Sequence, residues 1–345
     1  MLVDAMTTPL PVHDMAGAAA TIRAAGFSGL VLTETGRSAF IAATASALGA
    51  PGLHLATGVA VAFSRSPMVT AGAAWELAEA TGGNFRLGIG TQVRAHVTRR
   101  YGAEFDPPGP RLREYVAALR AIFAAFRGEQ PLAFEGDYWS LDLLPRAWSP
   151  GPIDVGDPPI DVAAVNPWML RMAGAVADGV HVHPLNTPAY LEATVVPEVA
   201  AGARAAGRDP GELQLIVPCF TVVGDSEEER QPWRELARMQ VGFYGSTPNY
   251  GFIFEQLGAA GVGGALRDHQ RSGDMAAMAA AVPDELLAHF VVEASWDDMA
   301  GALVQRYGAV ADRVVLYFAN PALADAATLA RFGEVARRAE AATGG

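Results

Sequence analysis

The run Arg86-Leu87-Gly88-Ile89-Gly90-Thr91-Gln92-Val93-Arg94-Ala95-His96, continued by Arg99-Arg100-Tyr101-Gly102, carries the densest chemistry in this chain. An apolar strand ends in glycines that let backbone approach a ligand, and the loop after it presents amides, a histidine and guanidiniums. That layout suits a flat, anionic cofactor. His96 can donate a proton or hydrogen-bond a ring atom, because imidazole titrates near neutrality. A solvated loop histidine is the plain alternative. Arg94, Arg99, Arg100, Arg111 and Arg113 gather positive charge in a chain of net charge −12. They fit either a polyanionic ligand gripped by guanidiniums or a solvated face.

Three further places offer chemistry. Ala163-Ala164-Val165-Asn166-Pro167 reads as a strand running straight into a helix start, where free amides and the helix dipole favour phosphate. His181 and His183 lie two apart on a strand and so face the same way. Such a pair could ligate a metal with help from Glu34 or His96, as in a barrel hydrolase, but His183 lining a cofactor site and His181 as a satisfied core residue is the simpler reading. Glu34 follows the apolar Leu30–Leu32 and is either a buried acid with a working proton or an arginine-paired carboxylate.

Composition excludes more than it selects. All 25 basic residues among the 345 are arginine, so there is no lysine for a Schiff base, for pyridoxal phosphate or for a P-loop. The acidic balance argues against nucleic acid or anionic membrane as a partner. A single cysteine, Cys219, rules out an internal disulfide and a thiolate metal cluster. With neither a basic-then-apolar leader nor an apolar run of spanning length, the expected location is cytoplasmic.

The elements that must position these residues alternate. Strands are expected at Leu2–Met6, Leu30–Thr33, Leu53–Ala62, Phe85–Ile89, Ile160–Val165, Val180–His183, Leu213–Val223 and Arg313–Phe318, each followed by a helical stretch. Helix boundaries are marked by Asp14 and Gly26, by Pro67, by Asn166-Pro167 and by Asp225/Ser226. Eight such units predict an α/β fold, a TIM (β/α)8 barrel, across a single domain, 1–345. Two stretches, about 129–159 and 246–290, read as insertions, the first with a hairpin around Glu135–Trp139. An open doubly wound sheet is disfavoured because the first strand leads to Thr7-Thr8-Pro9-Leu10-Pro11 and not to a glycine fingerprint. Barrels of this type work at the C-terminal ends of their strands, and those ends here are rich in glycine, small residues and histidine.

In their order and spacing, Gly26-Phe27-Ser28-Gly29-Leu30, Thr57-Gly58-Val59, Arg65-Ser66-Pro67, Leu87–Thr91, Arg99-Arg100-Tyr101-Gly102 and Ala177-Asp178-Gly179-Val180 resemble the bacterial luciferase-like superfamily. Thr91–His96 looks closest to an actinobacterial branch using the deazaflavin coenzyme F420. The resemblance covers nearly the whole chain. It implies a luciferase-like barrel, homodimeric, with F420 or alternatively FMN at the C-terminal mouth, and a cis peptide at Gly58–Val59 beneath the ring. It places Thr91, Gln92 and His96 on the ring and ribityl side, with Arg100 and Tyr101 following on the same loop, and Val165, Asn166 and His183 at the phosphate. The chain departs from the sugar-phosphate dehydrogenase branch, whose Asp-His pair is replaced by Glu34-Thr35 and whose acid after the fourth strand is Val93. Sugar-phosphate oxidation is therefore disfavoured, and Glu34 and His96 stand as the acid/base candidates.

The expected function is hydride transfer between F420 and a small organic substrate, with no resident metal. The alternative is an FMN monooxygenase fed by a separate flavin reductase. A metal-dependent hydrolase on His181 and His183, or a flavin-binding protein without catalysis, would come from other classes.

Overall fold

Alternation of side chains along eight short strands decides the architecture. The computed structural model describes residues 1–319 and 321–344. The strands are β1 (Leu2–Thr7), β2 (Gly29–Leu32), β3 (His54–Thr57), β4 (Phe85–Gly90), β5 (Ile160–Ala163), β6 (Gly179–His181), β7 (Gln214–Val223) and β8 (Arg313–Leu316). Each pairs in parallel with the next, and β8 returns to β1 in the register Leu2↔Arg313 to Ala5↔Leu316, closing the barrel. The expected TIM barrel is thus present. Outward residues such as Val3, Ala5, Leu30, Leu55, Leu87, Ile89, Val162 and Val314 join the helices in the main core. Inward Met6, Val31, Ala56, Ile216 and Val315 form a small core of their own.

Below that inner layer the barrel is plugged by charge. Arg313 donates twice to Asp4, at 2.7 and 2.6 Å, and Arg86 donates twice to Asp161, at 2.8 and 2.5 Å. Glycine at the start of β2 and β6 makes room for these pairs. A Cβ on Gly29 would sit 2.5 Å from Asp4 Oδ1, and one on Gly179 would overlap the Asp161 carboxylate. Both bidentate pairs satisfy each other's desolvated charge, which is the condition for burying them at all.

Several boundaries differ from expectation. The third strand ends at Thr57; a cis bond at Gly58–Val59, where the resemblance placed one, separates it from a two-residue strand, Ala60–Val61, paired to β4. β6 ends at His181, so His183 lies beyond the strand. The first helix begins at Val12 behind Pro11, ahead of Asp14, and ends as expected on a left-handed Gly26. The eighth strand gives way to a tight turn at Tyr317. A strand at Val291–Ala294, unforeseen in the sequence, pairs with the overhanging half of the ten-residue β7.

The stretch between β4 and β5 does form a hairpin, Phe134–Glu135 with Ser140–Leu141. Glu114, on the helix Pro108–Arg127, holds its turn by accepting the amides of Asp137, Tyr138 and Trp139, each at 2.8 Å. Residues 246–290 form short helices around a separate apolar cluster that includes Phe254, Leu266 and Met278. No helix among the described residues is long and apolar enough to cross a membrane.

Candidate functional site at the barrel mouth

At the C-terminal rim, small residues let the strand ends pack closely. Gly90 closes β4 against Ala163 of β5; a Cβ there would lie 2.8 Å from Val59 Cγ2 and 3.3 Å from Ala163 Cβ. Gly58 sits over the barrel axis, where a Cβ would overlap Val31 and come within 3.3 Å of the His181 ring. Thr57 Oγ1 ties β3 to β4 by donating to the Gly88 carbonyl at 2.7 Å. Thr33 Oγ1, buried at the end of β2, has no hydrogen-bond partner. The unpaired Thr33 hydroxyl beside these close-packed glycines is a polar group a bound ligand could satisfy.

Glu34 meets the arginine-paired alternative. One oxygen accepts the Val61 amide at 2.8 Å and Arg65 Nη1 at 3.0 Å, and the other accepts Arg65 Nη2. The carboxylate thus straps the segment after β3, which carries Gly58 and Val59, to the end of β2. Arg65 emerges only here: it lies 31 residues away, and no local spacing links the two.

After β4 the chain makes a sharp corner. Gln92 is the one non-glycine residue among those described with a left-handed backbone, φ 58°, and its Oε1 accepts the Val93 amide at 2.9 Å. Such a conformation persists only where its surroundings demand it. The loop expected next is a short helix, Arg94–Arg99, that leaves His96 exposed. Arg100 reaches across to the Thr35 carbonyl at 2.6 Å and lies over the Tyr101 ring, joining this loop to the end of β2. The arginine run does not act as one cluster. Arg94 pairs with Asp106, Arg111 with Glu104, and Arg100 with backbone.

Beyond β5, Asn166 caps the helix Pro167–Val176 by accepting the Met169 amide at 3.0 Å, as its sequence predicted. The Val165 carbonyl accepts Tyr190 Oη. The two histidines separate. His181 is buried in the barrel with Nε2 3.9 Å from Asp161 Oδ2, and burial lowers its pKa. His183 stacks on Tyr250 at 3.9 Å between centroids and meets Tyr244 edge-on at 4.9 Å. Its Nδ1 accepts the Leu185 amide at 3.1 Å, leaving Nε2 to carry the proton, and burial drives its pKa down to about 3. His183 is therefore a neutral donor at physiological pH. Tyr244 and Tyr317 share a hydrogen bond of 2.7 Å behind it. Among the described residues no three His, Cys, Asp or Glu side chains group as a metal would need.

Residues 3–313 match the family described as luciferase-like monooxygenase. An uncharacterized protein of Mycobacterium tuberculosis is 34% identical over 303 residues, spanning 88% of this chain and 89% of its own. The 5,10-methylenetetrahydromethanopterin reductase of Methanolobus tindarius is 28% identical over 298 residues, spanning 84% of this chain and 85% of its own. Among solved structures, the coenzyme F420-dependent tetrahydromethanopterin reductase of Methanopyrus kandleri superposes with a TM-score of 0.76 at 20% identity, covering 96% of this chain and 97% of that one.

Proposed function

Because this chain belongs to the luciferase-like monooxygenase family, we propose that it is an oxidoreductase transferring a hydride between coenzyme F420 and a small organic substrate. The observation that carries this reading is the rim itself. Gly58, Gly90 and Ala163 bring the strand ends close together with no large side chain of their own, and a capped helix start faces the same end of the barrel. Kinship with 5,10-methylenetetrahydromethanopterin reductase, and likeness to an F420-dependent reductase structure, favour the deazaflavin over a flavin.

When bound, F420 supplies the two-electron chemistry; the chain binds, orients and excludes water. In this reading Gly58 and Val59 lie under the ring, and Thr91, Gln92, Arg100 and Tyr101 border it. Val165, Asn166 and the Nε2–H of His183 hold the phosphate. Glu34, with both oxygens engaged, positions the Val59–Arg65 segment. That leaves His96, exposed and with a side chain bonded to none of the described residues, as the proton donor or acceptor toward substrate. Titration with F420 and with FMN tests the assignment: F420 binding in the micromolar range and coenzyme turnover with a substrate panel are expected, and no binding below millimolar would remove it. The family description favours a second reading, an FMN monooxygenase supplied by a separate reductase. Substrate-dependent oxygen consumption with reduced FMN would select it.

A homodimer fits the surface. Ile41 and Leu48 on the helix Ala39–Gly49 are 56% and 78% exposed, whereas Ala39 is buried and belongs to the monomer core. Leu48→Glu is expected to shift the mass measured by light scattering from dimer to monomer; an unchanged mass would place the interface elsewhere.

A further inference from the structure

A cavity of about 420 Å³ opens between the hairpin turn and the segment leading into the helix Pro67–Ala80. Phe63, Tyr138 and Trp139 give it aromatic walls, and Ser66, Glu104 and Arg111 give it polar ones. Arg111 is nine-tenths buried, its guanidinium carbon 4.6 Å from the Tyr138 ring centre and 5.5 Å from that of Trp139. Of its three nitrogens only Nη2 is bonded, to Glu104 at 2.7 Å and the Asp106 carbonyl at 3.4 Å. Nε is buried without a partner. The Tyr138 hydroxyl and the Trp139 indole N–H bond to none of the described residues. Arg111 Nε thus lacks an acceptor, and the one carboxylate lining the cavity, Glu104, has a side chain 83% exposed to water.

We propose that this cavity binds a small carboxylic acid carried on a flat, apolar body. Nη1 and Nη2 share one edge of the guanidinium, and once Glu104 gives up Nη2 that edge matches a carboxylate bidentately, while the rings on either side accept an aromatic or unsaturated skeleton. A neutral hydrocarbon would cover the Arg111 donors without giving them an acceptor. A cation would meet a buried guanidinium and only one surface carboxylate. Glu104 acts as a tethered stand-in for the ligand's carboxylate and swings into solvent when the acid arrives. The cavity lies beside the rim, because the segment forming one wall is the one Arg65 ties to Glu34 at the end of β2. It thus deepens the proposed function by naming an acidic substrate class, yet its binding is measurable without any coenzyme.

The test is tryptophan fluorescence of the coenzyme-free protein titrated with phenylacetate and, as its neutral counterpart, 2-phenylethanol. Saturable quenching by phenylacetate is expected, lost as a signal in Trp139→Phe and weakened about tenfold or more in Arg111→Gln, the scale of one charge-assisted hydrogen-bonded pair. Glu104→Gln, a change at an exposed side chain, is expected to tighten phenylacetate binding because the competing carboxylate is gone. A merely structural role for the Glu104–Arg111 pair would not produce that gain. Equal affinity for the alcohol, or unchanged or weaker affinity in Glu104→Gln, would overturn the proposal whatever F420 does at the rim.

Discussion

Gly90, at the end of β4, and His96, in the short helix after it, lie six residues apart, and they make opposite predictions. A methyl at position 90 has Val59 Cγ2 at 2.8 Å and Ala163 at 3.3 Å, so the floor of the rim must rise to admit it. Gly90→Ala is therefore expected to weaken F420 binding by about tenfold while the urea midpoint moves little, since a strand-end strain of about 1 kcal/mol is small beside the whole core. Loss of stability without loss of affinity would mean the floor does not bear a ligand. His96→Gln should do the reverse, leaving coenzyme affinity unchanged and lowering kcat about a hundredfold, the usual contribution of a positioned acid or base. If kcat holds, the proton comes from elsewhere on the rim. Glu34 shows why sequence reading stops at residue types. Its apolar approach announced burial, but its pairing depends on Arg65, which follows the neighbouring strand β3.

At the scale of elements, the caps were legible and the joints were not. Asn166-Pro167 marks a helix start by local chemistry alone, and the Asn166 side chain caps it. Asn166→Ala is expected to cost about 1 kcal/mol, as loss of an N-cap does, and to lower thermal stability by a few degrees. The same change should weaken F420 binding if this helix start holds the phosphate; a stability loss alone would confine Asn166 to capping. The eight strands could be counted because their outward faces are apolar, and that periodicity lives in adjacent residues. Their ends could not, because pairing sets them. Leu53–Ala62 reads as one apolar run, yet only part of it finds a neighbour in β2, and the rest pairs with β4. The strand Val291–Ala294 is four residues long and exists because β7 overhangs the barrel, which no window of its own sequence announces.

For the molecule as a whole, burial in the fold makes a place where histidine must stay neutral. Burial, aided by Arg313, lowers His54 to about 4; burial lowers His183 to about 3; and burial outweighs the nearby Asp161 in lowering His181. In the unfolded chain each returns to about 6.5, so below that pH the unfolded state binds protons that the fold refuses. Stability is therefore expected to be level above about pH 7 and to fall as pH drops, with each histidine contributing up to about 1.4 kcal/mol per pH unit. Urea midpoints between pH 7.5 and 5 would measure this. Replacing His54 with Gln should remove one proton's worth of that slope. A midpoint that stays flat or rises toward pH 5 would mean these imidazoles find charged-state partners inside the barrel. The geometry offers none: Arg313 and Arg86 already occupy Asp4 and Asp161 through two bonds each, so the carboxylates that might have welcomed an imidazolium are spent on guanidiniums.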